Sequence, residues 1–438
     1  MKIAVVGSGV SGMLSARLLA GVHAVTLFEA DDRVGGHVHT VPVQDGERSI
    51  PVDTGFIVCN DRTYPNYMRL LRILGVETQP SRMSFSVACR RTGLEYNGTS
   101  LNSLFAQRSN VLRPSFHRMV RDILRFHREA PAVLADGDES LTLSALLERG
   151  RYGREFADNY LLPMGGAVWS AEPAAMRDFP ALSFIKFFSN HGMLSVDDRP
   201  QWRVVKGGSR VYADALIDPI RDRVRVGTPV VAIQRFESHV ELTLRAGAVE
   251  RFDHVVLATH SDQALALLRD ASSSEREVLD AIPYQENVAV LHTDVAVMPK
   301  RKLAWASWNY HLGIDRNGVA VTYWMNELQT LAGPTNWFVT LNDVDGIDPA
   351  KVLRRITYHH PVYRRAGVAA QKRWAEIDGV RHTSFCGAYW SYGFHEDGVR
   401  SALRVAERFG RSLDDLERES GGKAIVQSPR DSVGVRAS

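Results

Sequence analysis

The stretch Lys2-Ile3-Ala4-Val5-Val6-Gly7-Ser8-Gly9-Val10-Ser11-Gly12 decides the reading of the fold. Its opening five residues form a short, largely β-branched apolar run, the pattern of a strand buried on both faces. Glycines at GxGxxG spacing follow, then a helical pattern over 13–20, a second apolar run at Ala24–Phe28, and Glu29, 17 residues beyond Gly12. Strand, glycine turn, helix, strand and terminal acid together make a dinucleotide-binding fingerprint. Each part has a physical task. Gly7 permits the tight turn, Gly9 lets backbone approach a pyrophosphate, and Gly12 lets helix and strand pack closely. The helix start, with Ser11, offers free N–H groups and partial positive charge to phosphate. Glu29 is placed to accept hydrogen bonds from ribose hydroxyls. The fingerprint alone leaves FAD and NAD both open.

The next residues separate the two. Glu29-Ala30-Asp31-Asp32-Arg33-Val34-Gly35-Gly36 resembles the E-x-x-x-R-x-G-G extension of the flavin amine-oxidase superfamily, which includes monoamine and polyamine oxidases, protoporphyrinogen oxidase and the phytoene desaturases. The resemblance implies FAD, held non-covalently, with Ala30 and Arg33 at the nucleotide and pyrophosphate and Gly35 and Gly36 giving backbone amides to the flavin side. The superfamily often continues with a second Arg, whereas this chain has His37. Three later segments resemble the rest of the cofactor frame. Val52-Asp53-Thr54-Gly55-Phe56 is similar to the segment crossing near the isoalloxazine. Val226-Gly227-Thr228-Pro229-Val230-Val231 is similar to the strand whose valine backbone, here Val230, pairs with adenine. The run 253–258, ending at Ala258 before Thr259-His260, is similar to the turn beneath the cofactor.

Near the C-terminus, Phe385-Cys386-Gly387 resembles the superfamily's strand before the flavin helix, but Ala388 stands where relatives usually have Glu. The contact the resemblance implies for that acid is therefore either missing or relocated, with Glu396 the candidate. A helix over 399–409, starting near Asp397-Gly398, would aim its positive N-terminal end at the flavin, with Asp397 serving as N-cap and cofactor neighbour. The fold class expected is α/β: a discontinuous Rossmann-like FAD-binding domain with a second α+β substrate domain, in an amine-oxidase or glutathione-reductase-like topology. The expected pieces are 1–80, 200–280 and 380–418 for FAD, 81–199 (helix-rich) and 281–379 (β-rich, with strands at 287–292 and 319–325) for substrate, and a disordered tail over 419–438. No second GxGxxG occurs, so electrons are expected from the substrate itself.

Composition excludes other classes. The 438 residues carry 53 Lys and Arg against 50 Asp and Glu, a net charge of +3, which recruits no nucleic acid. No apolar run reaches the roughly 18–20 residues of a membrane span. Cys59, Cys89 and Cys386 are odd in number and far apart, which argues against a disulfide scaffold and a CxxC metal knuckle. No His/Asp/Glu cluster has metal spacing, so no metal is expected. The apolar start after Met1-Lys2 invites a secretory reading, but the three glycines interrupt it, and the expected compartment is the cytoplasm. Residues 114–130 place Phe116, Met119, Val120, Ile123, Leu124 and His127 on one face and Arg118, Arg121, Arg125 and Arg128 elsewhere. Two readings stay open for that segment: a solvated face over a core stripe, or peripheral contact with an anionic bilayer at the inner membrane face.

Several distinctive strings narrow the resemblance: 51–56, Tyr160-Leu161-Leu162-Pro163-Met164-Gly165-Gly166-Ala167-Val168-Trp169-Ser170, Arg199-Pro200-Gln201-Trp202 and 386–398. They resemble a bacterial group of NAD/FAD-binding proteins similar to the flavoprotein half of plant cyclopropane-fatty-acid synthases. The implied substrate is a hydrophobic molecule, a lipid acyl chain among them, with oxygen or another electron acceptor. Aromatic residues are dense in the relevant segments, and Trp169, Tyr323, Trp324, Tyr389 and Trp390 are the expected pocket residues. Such a pocket suits an acyl chain, and equally an amine between rings. His395 is the first acid/base candidate and Tyr392 the second. Lys206 could match the amine oxidases' flavin-water lysine, though a surface or hinge role suits it better, and Cys386 on an apolar strand reads as packing. The expected activity is FAD-dependent removal of hydride from a hydrophobic substrate. An amine oxidase, a non-redox flavin isomerase or mutase, and a non-catalytic lipid-binding protein are the alternatives.

Overall fold

A computed structural model describes residues 1–169, 173–194, 200–313 and 320–421. Ser170, Arg199, the first residue of the expected strand 319–325, and the tail from 422 onward lie outside the described residues. A five-stranded parallel sheet takes its strands from three distant stretches of chain, in the order Val224–Arg225, Ala24–Phe28, Lys2–Val6, His254–Leu257, Thr383–Phe385. Its central strand explains the unbroken apolar run. Ile3 and Val5 pack with the helices Val10–Leu19 and His395–Glu407, while Ala4 and Val6 pack against the antiparallel strands Val230–Arg235, Val240–Leu244 and Val249–Phe252. Both faces are dry, so no polar alternation survives.

The two helices cross closely because Gly398 lacks a side chain. A Cβ there would lie 2.6 Å from Val10 Cγ1, and the Ser11 hydroxyl donates 2.8 Å to the Gly398 carbonyl. The second helix starts at His395, earlier than expected, because Asp397 sits at its third position and accepts the Phe394 N–H at 3.0 Å. The helix Leu413–Glu419 reaches the first residue of the expected tail, held by the Arg17–Glu419 ion pair at 2.8 Å.

A second, seven-stranded sheet runs in the order Val352–Pro361, Tyr284–His292, Phe338–Leu341, Ala320–Trp324, Trp308–Leu312, Phe85–Cys89, Glu95–Asn97. The last two come from the segment expected to be helix-rich; they are too short for a pattern of their own and are stabilised by pairing, Phe85–Cys89 with Trp308–Leu312 and Glu95–Asn97 with Phe85–Cys89. Helices fill the rest of that segment, above all Pro114–Asp136, which starts on Pro114 and ends at Gly137 in the left-handed conformation (φ +69°). Phe116, Met119, Phe126 and Ala130 are its buried face. Among the described residues no helix is long and apolar enough to cross a membrane.

Candidate active site

A cavity of about 1510 Å³ extends from the C-terminal ends of the parallel strands to the underside of the seven-stranded sheet. Its narrow end is built by the glycine turn. Gly7 has φ +96°, and a Cβ on it would sit 2.8 Å from the Ala258 carbonyl; a Cβ on Gly12 would sit 1.8 Å from the Gly7 carbonyl. Both glycines are demanded by the protein's own packing. Gly9 is different: a Cβ there would meet nothing within 4 Å and would project into the open cleft. The helix Val10–Leu19 has no side-chain cap and no acid in its first turn, so its N–H groups face this space unneutralised. Ser11 contributes only backbone, since its hydroxyl is committed to Gly398.

Glu29 accepts the N–H of Ser8 at 2.8 Å and of Asp31 at 2.9 Å, as well as the Ser8 hydroxyl, and so holds a carboxylate on the cleft wall. Thr228 donates 2.8 Å to the Glu29 carbonyl and Gly227 donates 2.6 Å to that of Asp31, which brings Pro229 and Val230 to the same wall. Ala30, Arg33, Gly35, Gly36, His37, Thr54, Gly55, Phe56, Ala258, Gly387 and Ala388, all expected at the cofactor, line the cavity. Arg33 also braces its own loop, donating to the carbonyls of Gly36 (2.8 Å) and Val38 (3.2 Å). His37 stacks on Tyr358 at 4.9 Å, its Nε2 buried without a partner, and burial pulls its pKa down to about 3.

Several expected contacts are corrected. Asp53 is fully buried behind the wall, where Ser209 N–H (2.9 and 3.0 Å), Ser209 hydroxyl (2.8 Å), Thr40 hydroxyl and Gln329 Nε2 (2.9 Å) bind its carboxyl. It pins segments together and does not reach the cavity. Glu396 points at another helix, Pro65–Ile73, and accepts from Asn66 Nδ2 (2.6 Å) and Tyr67 N–H (2.9 Å). It neutralises that helix's free N–H groups and does not replace the missing Glu at Ala388. Asp397 is the cap alone, and Gly398 and Gly12 serve close packing. Trp324 lies on the far face of its strand, donating 3.0 Å to Asn336 and packing edge-on against Trp305. Trp390 packs into the interior behind the turn. Neither lines the cavity.

The wide end is apolar. Val120, Ile123, Met164, Trp169, Phe187 and Tyr323 face it. Trp169 is fixed by Phe179 and Phe187 at 4.6 and 4.9 Å, Tyr323 by Trp308 at 4.9 Å. Tyr389 also reaches the wall. His127 Nε2 and Tyr160 OH, 3.0 Å apart, form a polar pair on the chamber wall. Tyr160 lies in the π-helical turn Ala157–Leu161, whose extra residue per turn re-aims a side chain. Among the described lining residues the only carboxylates are Glu29 and Asp31, at the narrow end.

His395 forms part of the wall between the two ends. Its ring lies flat on Phe56 at 3.6 Å, its Nε2 meets the buried Tyr212 hydroxyl, and burial pulls its pKa to about 3, so it is neutral. Tyr392 also lines the cavity, and burial raises its pKa. Lys206 is at the surface, 2.8 Å from Glu77. Cys386 is off the cavity wall, its thiol pushed up to about 12 by burial.

The sequence profile described as "Flavin containing amine oxidoreductase" matches residues 10–303, about two thirds of the chain. The chain belongs to this family. Among similar proteins, L-amino-acid oxidase of Mus musculus is 23% identical over 414 residues, covering 86% of this chain and 61% of that one. Amine oxidase [flavin-containing] B of Homo sapiens is 28% identical over 251 residues, 54% of this chain and 46% of that one. The chain thus spans about half to three fifths of the length of these relatives. In fold it is similar to cyclohexylamine oxidase from Brevibacterium oxydans (TM-score 0.65, 18% identity, 94% and 99% of the two chains). It is also similar to the CLA-producing fatty acid isomerase from P. acnes (TM-score 0.67, 16% identity, 93% and 98%). The family is one of flavin-containing oxidoreductases. The cleft fits FAD: the open space over Gly9, the uncapped helix and the Glu29 carboxylate suit phosphate and ribose.

The sequence pattern does not single out the strand Val352–Pro361, whose Arg354, Tyr358 and His360 line the cleft. Tyr358 ties this strand to the frame through Thr54 (2.8 Å) and His39 (3.1 Å). The one signal that could have found it is the pair of short histidine repeats, His37-x-His39 and Tyr358-His359-His360.

Proposed function

We propose that this flavoprotein removes hydride from a long apolar substrate, an acyl chain, and passes the electrons to oxygen or another acceptor. The observation that carries this reading is the continuity of the dinucleotide cleft with an apolar chamber whose described lining has no carboxylate for an ammonium group. The same reading divides the chain into a three-piece FAD domain and a substrate domain built from the two inserts. Once bound, FAD supplies the two-electron hydride acceptor. The chain's residues do the rest. Val120, Ile123, Met164 and Phe187 exclude water and align an extended hydrocarbon; the His127–Tyr160 pair offers a polar anchor for a headgroup. The helix His395–Glu407 begins at the cavity wall, its start fixed by the Asp397 cap. His395, held neutral by burial, shares a hydrogen bond with the Tyr212 hydroxyl. Tyr392, protonated there, is the candidate proton-bearing group.

A second reading is a non-redox acyl isomerase. It is favoured by the position of Lys206, the only residue matched to the oxidases' flavin-water lysine, which is at the surface and bound to Glu77. Anaerobic mixing of FAD-loaded protein with long-chain fatty acids, phospholipids and amines tests both. Net bleaching by acyl substrates supports the oxidoreductase. Acyl conversion without net bleaching supports the isomerase. Bleaching by simple amines and not by lipids overturns the acyl reading.

A further inference from the structure

We propose that the corner spanning residues 101–128 is a docking surface for anionic lipid bilayers, placed so that the chamber opens against the membrane. This rests on the acyl-substrate reading above and names where that substrate is met. The first observation is apolar exposure. Leu112 and Leu101 are 86% and 77% exposed, the two most exposed large apolar side chains among the described residues, and Leu124 (57%) and Val111 (50%) join them. Single exposed leucines are ordinary; a group of four within 24 residues is not. The group is structurally continuous. The His117 ring nitrogen lies 2.8 Å from the Val111 carbonyl and ties the loop to the helix Pro114–Asp136. The Phe105 ring packs against Phe116 at 5.5 Å and links the Leu101 turn to the same helix.

The second observation is position. Leu101 and Leu124 both line the cavity while being mostly exposed, so they form its rim. Behind them on the same helix, Val120, Ile123 and His127 face the chamber. An acyl chain leaving a bilayer through this rim would run along the hydrocarbon side chains of Leu101, Leu124, Val120 and Ile123.

The third observation is charge. The chain as a whole is nearly balanced at +3, yet residues 98–128 hold six arginines (Arg108, Arg113, Arg118, Arg121, Arg125, Arg128) and one acid, Asp122. Asp122 is buried, accepts the Gly153 N–H at 2.9 Å and pairs with Arg125 at 3.5 Å, which leaves the exposed Arg121 and Arg128 facing outward. His117, Arg121, Leu124 and Arg128 recur at steps of four, three and four residues and are all exposed, which puts them on one stripe of the helix. Apolar tips flanked by cations at the water boundary are the chemistry of an interfacial helix on anionic headgroups.

Co-sedimentation of FAD-loaded protein with phosphatidylcholine vesicles, with and without about one third phosphatidylglycerol, tests the surface. The expected result is binding to the anionic vesicles that weakens in high salt. Leu101→Asp/Leu112→Asp should lower binding roughly tenfold or more, and Arg121→Glu/Arg128→Glu should lower it by a similar factor and remove the preference for phosphatidylglycerol. Both variants should keep wild-type flavin content and melting temperature, and both sites are surface positions where such changes are tolerated. Wild-type protein that stays in the supernatant, or a leucine variant that binds as wild type, overturns the proposal. So does a wild-type dimer in sedimentation velocity that the leucine variant dissociates, since the face would then be covered by a second copy. Failure to bind vesicles while free fatty acids reduce or are converted at the flavin removes the docking surface alone. Binding to vesicles with no action on any acyl compound removes the substrate reading alone.

Discussion

The two ends of the cavity are made by different means. At the narrow end backbone does the work: a glycine turn, a helix start and strand termini hold the wall, and Glu29 is fixed by N–H groups of its own neighbours. At the wide end side chains do the work, drawn from the helix Pro114–Asp136, a π turn, and the seven-stranded sheet. The first kind of site tolerates little change in backbone and is carried by local sequence. The second tolerates hydrocarbon exchange and is set by which way each side chain faces.

The sharpest way to break this contrast lies within the glycine turn. Gly12→Val should prevent folding or abolish FAD content outright, because even the first added carbon falls 1.8 Å from the Gly7 carbonyl. Gly9→Ala should leave the stability of the FAD-free protein within about 0.5 kcal/mol of wild type while weakening FAD binding by tenfold or more. Visible flavin absorbance after gel filtration, with calorimetry on the stripped protein, reads both. Equal losses of stability at the two positions would show that the Gly9 space belongs to the protein and not to a ligand.

Glu29→Ala comes next. Loss of charge-assisted hydrogen bonds of roughly 1.5–3 kcal/mol should weaken FAD retention by about 10- to 100-fold with the fold intact. Unchanged retention would count against its ribose contact. At the wide end, Ile123→Asp should cut kcat/KM for a long acyl substrate by tenfold or more at unchanged flavin content, and Ile123→Leu should be close to neutral. Loss of flavin on Ile123→Asp would join the two ends into one site and erase the distinction.

Acid should destabilise the whole molecule. His292, His311 and His395 are buried with pKa values near 4, 4 and 3, below their unfolded value of 6.5, chiefly through desolvation. The unfolded chain binds protons that the folded chain refuses, so their stabilising effect is complete above pH 6.5 and is lost as pH falls from there toward 4. At pH 5.5 each such histidine costs about 1.4 kcal/mol. Melting temperature should fall steadily over that window, and His311→Asn should flatten the fall; a flat profile from pH 7 to 4.5 would contradict the buried-neutral assignment. The smallest effect is expected for Lys206→Met. An exposed ion pair is screened by water and adds little stability, and flavin reoxidation by oxygen should be unchanged.

The same contrast explains how much of the fold and of the site is legible in the amino-acid sequence. The strands Lys2–Val6 and Ala24–Phe28, the glycine turn and Glu29 are neighbours in sequence as well as in space, so a local pattern carries them. Facing direction is not legible. Tyr323 and Trp324 are successive residues of one strand, so only one of them can look into the chamber, and it is Tyr323. Tyr389 and Trp390 divide in the same way at the turn. Motif position alone points Asp53 and Glu396 at FAD, yet each is claimed by N–H groups of a remote segment, at Ser209 and at Asn66 and Tyr67. The strand Val352–Pro361 and the His127–Tyr160 pair depend on pairings between distant stretches of chain, which spacing does not encode.

The central claim is that the reactive end of FAD lies beneath a chamber shaped for hydrocarbon. Titrating the FAD-loaded protein anaerobically with unreactive saturated fatty acids of increasing length, and following the visible flavin spectrum, tests it most directly. The account predicts a saturable spectral shift that tightens with chain length and is lost in Ile123→Trp. No shift at any length, with a clear shift from short amines, would contradict it.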